Sequence, residues 1–99
     1  MASRTSWTDL KGRRMAEPGA QDAYQAARLA YELGLRVRQL REQHSWSQRE
    51  LAEAASMTQS AVARFEAGGT VPTLLVLDRL ARALNADLVV KMTPRTEVA

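Results

Sequence analysis

The stretch SQRELAEAASMTQSAVARFEAG, residues 47–68, leaves the chain few choices of fold. Ser47 stands three positions before Glu50, the spacing at which an N-cap and the third helical residue each satisfy a backbone N–H at the other's end. Trp46 before the cap and Leu51 inside the helix are placed for the hydrophobic staple that fixes how the chain enters. Leu51, Ala52 and Ala55 give one apolar face, Ser56 and Met57 interrupt it, and Thr58 can cap a second helix whose inner side is Val62 and Phe65. Gly68 and Gly69 end that helix, because glycine takes the left-handed conformation of a C-cap without strain. Two helices this short cross closely only where one presents almost no side chain, which is the use of Ala52. The outer side of the second helix is small and polar, either an ordinary solvated face or a surface that touches a partner.

The spacing also carries a family likeness. With Gln48 first, Ala52 fifth, and Met57, Val62 and Phe65 at the tenth, fifteenth and eighteenth positions, the stretch resembles the helix-turn-helix of the phage-repressor family, the Cro/C1 or XRE type. It departs at the ninth position, where that family often has glycine and this chain has Ser56, a residue the turn admits at some strain. The resemblance implies binding to double-stranded DNA with the second helix in the major groove. Gln59, Ser60 and Arg64 then face bases, and Gln48 and Thr58 face phosphates. The chemistry agrees, since glutamine bonds bidentately to adenine and arginine to guanine. The same resemblance implies an ion pair between Arg41 and Glu66, tying the first family helix to the end of the recognition helix. Dimers of this kind read palindromic operators, so a homodimer is expected.

Residues 1–19 mix Arg4, Lys11, Arg13 and Arg14 with Asp9 and Glu17 and close on Pro18-Gly19, a breaker pair, which predicts a flexible basic arm. Trp7, Leu10 and Met15 are large apolar groups in a segment with no visible core, either anchors that order on a partner or residues that pack on this protein's own helices. Ala26, Ala30, Leu33, Val37 and Leu40 recur at steps of four and three, a helix over residues 21–43 with room to bend or split at Gly34. Tyr24 and Tyr31 lie seven residues apart on one stripe of it, suited to packing within the fold or to a contact with another protein. After the central motif, Leu74, Leu77, Leu80, Ala81 and Leu84 form one face of a further helix with Asn85 as a left-handed cap. Residues 86–92, ADLVVKM, are short and β-branched and read as a strand that pairs through Leu88, Val89 and Val90 with its copy in a second subunit. A last turn of helix or a frayed tail competes with that reading.

The expected architecture is therefore all-α: a five-helix repressor-like helix-turn-helix domain with an extended N-terminal helix and a short C-terminal strand. Its divisions are the arm over 1–19, the helical extension over 20–33, the DNA-binding domain over 34–85, the dimerisation strand over 86–92 and a tail over 93–99. One domain is what 99 residues allow, and a net charge of +3 favours a polyanionic partner, if weakly.

The absence of cysteine removes disulfides, thiolate metal sites and a thiol nucleophile. No apolar run is long enough to span a membrane and no signal core is visible, so the expected compartment is the cytoplasm. His44 has no second histidine with which to hold a metal and reads as a turn residue, and no phosphate loop or nucleophile motif is present. A protein that is not an enzyme is expected, with no cofactor and no small-molecule substrate.

The flanks narrow the likeness. A basic arm with Trp7 and the LKGRRM run, an added helix reading AYQAARLAYELG, the motif and a terminal strand together resemble HigA-type antitoxins, the DNA-binding halves of type II toxin–antitoxin pairs. That resemblance implies a RelE/HigB-like ribonuclease toxin neutralised by direct contact, and an operator in the pair's own promoter. Trp7, Leu10, Arg13, Arg14, Met15, Tyr24 and Tyr31 are the candidates for the toxin contact. An antitoxin and autorepressor is the first expectation, a stand-alone XRE regulator without a toxin the second, and a protein-binding module that has lost DNA binding the third.

Overall fold

The computed structural model describes residues 19–96. Among these residues the regular structure is four helices: α1 (Ala20–Gln43), α2 (Gln48–Ala55), α3 (Gln59–Glu66) and α4 (Leu74–Ala83). The described residues are all-α as expected, but they form four helices and no strand in place of the expected five helices and terminal strand.

The helix count falls because α1 runs unbroken through Gly34. A glycine inside a helix costs about 1 kcal/mol relative to alanine, which made a break plausible. Here Gly34 is buried, and a Cβ built on it would lie 2.3 Å from the Phe65 carbonyl oxygen and 2.8 Å from that of Glu66. The glycine marks the point where the end of α3 crosses α1, so the extension and the first family helix are one element.

The strand fails for want of a partner. β-Branched side chains favour extended backbone, but a strand exists only where a neighbour completes its hydrogen bonds. Among the described residues no strand is present, and residues 86–96 run without regular structure. Leu88 is half-buried, whereas Val89 and Val90 are 78% and 65% exposed.

All four helices close with the same device. Trp46, Met57, Gly69 and Ala86 donate backbone N–H bonds to the carbonyls of Arg41, Ala52, Arg64 and Ala81, at 3.2, 2.8, 2.9 and 2.8 Å. Each bond spans a residue in the left-handed region: Ser45, Ser56, Gly68 and Asn85, with φ of 59°, 56°, 78° and 55°. These are Schellman ends, which satisfy carbonyls the last helical turn would leave open. The starts are equally explicit: Ser47 and Glu50 form the reciprocal capping box at 3.0 and 2.7 Å, and Thr58 and Thr73 cap α3 and α4.

Val37, Leu51, Ala52, Ala55, Val62, Phe65, Leu80 and Leu84 make the core, with α3 laid across α1 and α2 and α4 resting on α2. Leu74, expected on the inner face of α4, is 62% exposed because it begins the first turn, and Val76 packs on the core in its place. The His44 ring stacks on Trp46 at 4.7 Å, and its Nε2 donates to the Leu84 carbonyl at 2.8 Å, tying the end of α1 to the end of α4. Among the described residues, no helix is long and apolar enough to cross a membrane, and no group of three or more acidic or histidine side chains could hold a metal ion.

Candidate nucleic-acid interface

The sharp turn between α2 and α3 is made by Ser56, whose left-handed backbone lets the chain reverse within Ser56, Met57 and Thr58. Thr58 then starts α3 by accepting the Ala61 N–H on its Oγ1 at 3.1 Å. Val62 and Phe65, fully and almost fully buried, fix the rotation of α3 about its own axis. With the inner side set, Gln59, Ser60 and Arg64 come to the opposite side and are exposed. Ser60 and Arg64 lie one turn apart, beside the stripe of Gln59, Ala63 and Ala67. None of the side chains of Gln59, Ser60 and Arg64 hydrogen-bonds another described residue. Their donors and acceptors are turned outward from a helix that is itself held firmly.

What holds it is a polar network buried behind the outer face. Arg41 on α1 makes a forked bond to Glu66 at the end of α3, Nε to Oε2 at 2.7 Å and Nη2 to Oε1 at 3.0 Å. Its Nη1 donates to the Trp46 carbonyl at 2.8 Å. The side chains of Arg41 and Glu66 keep only 12% and 4% of their exposure, so this is a desolvated, bidentate pair. The hydrogen bond from Glu66 pushes the Arg41 pKa above its usual value, against the opposing effect of burial. Gln48, the first residue of α2, donates Nε2 to Glu66 Oε1 at 3.1 Å. One carboxylate therefore joins α1, α2 and α3. The sequence offers Arg41–Glu66 and Gln48 as separate features; their union across intervals of 25 and 18 residues is legible only in three dimensions.

Thr58 is exposed at the N-terminal end of α3, its hydroxyl proton still available after capping. Gln48 is half-buried and keeps a second amide proton beyond the one given to Glu66. Tyr24 is half-buried and Tyr31 is 43% exposed along α1, well away from the α3 outer face in sequence. The backbone of Tyr31 abuts Gly68, where a Cβ would meet the Tyr31 Cα at 3.0 Å, so the helical extension is seated on the end of α3. Trp7, Leu10, Arg13, Arg14 and Met15 lie outside the described residues.

Residues 37–90, more than half of the chain, match a family model described as helix-turn-helix. No curated protein and no solved structure matches the chain.

Proposed function

The chain belongs to the XRE-type helix-turn-helix family, a family of DNA-binding regulators, and on that premise we propose that α3 is its recognition helix and that two copies read a palindromic operator. The observation that carries this reading is the outward set of Gln59, Ser60 and Arg64, whose side chains hydrogen-bond no other described residue, on a helix fixed from behind by Arg41, Glu66 and Gln48. Arginine and glutamine are the side chains that read guanine and adenine in the major groove. Gln48 and Thr58 sit at helix starts, where backbone and side-chain donors suit phosphates. The test is selection of duplexes from a random library, followed by the Arg64→Ala variant. Relaxed preference at one base position, at a cost of about 1–3 kcal/mol, supports base reading. Equal weakening on every sequence makes Arg64 a phosphate contact instead.

A second reading adds a partner protein. Tyr24, Tyr31 and Leu35 fall on one stripe of α1 at steps of seven and four, and Tyr31 and Leu35 are 43% and 41% exposed, the kind of aromatic and aliphatic surface that protein contacts use. This supports an antitoxin that binds a RelE/HigB-like ribonuclease through α1 and residues 1–18, and represses its own operon. Deleting residues 1–18 should then weaken binding to the cognate ribonuclease while leaving operator affinity and its salt dependence unchanged. The reverse pattern would make the arm a DNA contact in the minor groove.

A further inference from the structure

Behind the outer face of α3, between it and α1, lies an open polar cleft of about 340 Å³ lined by Arg38, Arg41, Gln48, Ala63, Glu66 and Ala67. Ala63 and Ala67 continue the stripe that begins at Gln59, so the cleft borders a stripe that carries one of the candidate reading residues. Their methyl groups are too small to close it. The charges inside are unevenly committed. Arg41 and Glu66 neutralise each other, whereas Arg38 gives only its Nε to Glu42, at 3.1 Å, across an exposed pair on the same helix. The terminal Nη1 and Nη2 groups of Arg38 meet no acceptor among the described residues. Gln48 has its second amide proton on the same cleft.

We propose that this cleft is a binding site for one backbone phosphate of the DNA, with the free Nη1 and Nη2 fork of Arg38 as its cation and Gln48 as a second donor, and that Glu42, held on the Arg38 Nε, weakens it by placing a negative charge beside the phosphate. The inference rests on the reading of α3 as a DNA-recognition helix and adds a residue and an acidic antagonist to it. A guanidinium with a free fork is the group that fits a phosphate bidentately. The position matters as well. A phosphate held beside the C-terminal half of α3 would set the depth at which Gln59, Ser60 and Arg64 enter the groove, which is the positioning role of backbone contacts.

The experiment measures binding of the full chain to a random-sequence DNA duplex over a range of salt, for the wild type and the variants Arg38→Ala, Arg38→Lys and Glu42→Gln. Loss of one phosphate contact should reduce the slope of log affinity against log salt by about one unit and weaken binding severalfold on every sequence alike. Arg38→Lys should keep the slope, and Glu42→Gln should bind more tightly than wild type. Thermal melting of each variant reports whether the fold is intact, and an exposed pair of this kind contributes too little to move it far. If Arg38→Ala keeps the wild-type slope, or if Glu42→Gln weakens binding as Arg38→Ala does, the pair is a helix-surface contact and the phosphate site is wrong, while the reading of α3 stands. If the wild type shows no salt-dependent affinity for any duplex, the reading of α3 falls and the site falls with it.

Discussion

Gly34 and Ser56 decide the geometry of the three-helix junction between them. At Gly34 the missing side chain admits the carbonyls of Phe65 and Glu66, so an added methyl group would strike backbone atoms that cannot rotate away. Overpacking of a close contact costs about 1–3 kcal/mol, and a clash at 2.3 Å with backbone belongs at the upper end. Gly34→Ala, a change that raises intrinsic helix propensity, should therefore lower the denaturation midpoint; an unchanged or higher midpoint would show that α1 and α3 can separate freely. Ser56 is the converse case, a residue with a Cβ held at φ 56° where glycine carries no steric penalty. Ser56→Gly should raise stability by up to about 1 kcal/mol, the relieved strain outweighing the added freedom of the unfolded chain. The two differ in how far sequence reveals them. Gly34 looks like a possible break because its crossing partner is about thirty residues away, whereas the strain at Ser56 is readable from the family likeness, which often has glycine at that turn position.

The elements show which parts of such a structure sequence can specify. The starts of α2 and α3 were legible because a cap is a local bargain between a side chain and an amide three residues on, visible as Ser47 and Thr58. The inner residues of α2 and α3 were legible because their spacing repeats with the helix turn. Less was legible in α4, where the repeat includes Leu74 but packing begins only after the first turn. The network that joins the elements was half visible. Arg41 and Glu66 are marked by family likeness, yet the share of Glu66 taken by Gln48 depends on how closely α2 approaches α3. Arg41→Ala leaves Glu66 almost wholly buried with only the Gln48 amide as partner, and removing one side of such a pair costs about 3–5 kcal/mol. The retained Gln48 bond should reduce this, so a loss of about 2–3 kcal/mol is expected in chemical denaturation. A loss below about 0.5 kcal/mol, the range of surface substitutions, would mean that the carboxylate relaxes to solvent and that the pair does not hold α3.

At the scale of the whole molecule, the last described helix ends at Ala83, yet the chain continues past the half-buried Leu88 through Val89, Val90 and Met92, apolar residues that no described element covers. Val89, Val90 and Met92 are 78%, 65% and 95% exposed, clustered within four residues, whereas isolated exposed apolar residues would need no explanation. The sequence placed a strand here because its residue types favour extended backbone, and it erred because a ladder is a property of two segments. The same residues can still meet a second copy through their side chains. A palindromic site requires two recognition helices about 34–36 Å apart, a spacing that one chain with a single α3 cannot supply. Truncation after Asn85 should then give a monomer in sedimentation and a large loss of operator affinity. That truncation also removes Ala86 and Leu88 from a cleft they share with Leu33, Val37, Leu40 and Leu84, so a loss of fold would mimic a loss of assembly. The double substitution Val89→Lys, Val90→Lys avoids this, since both positions face solvent in the single chain. It should leave the melting transition of the single chain unchanged while converting the proposed dimer to monomer, by placing like charges at the proposed apolar contact. A variant that remains dimeric at micromolar concentration and binds the operator as before would move the contact to another face, with the exposed Val71, Leu74 and Leu75 next in line.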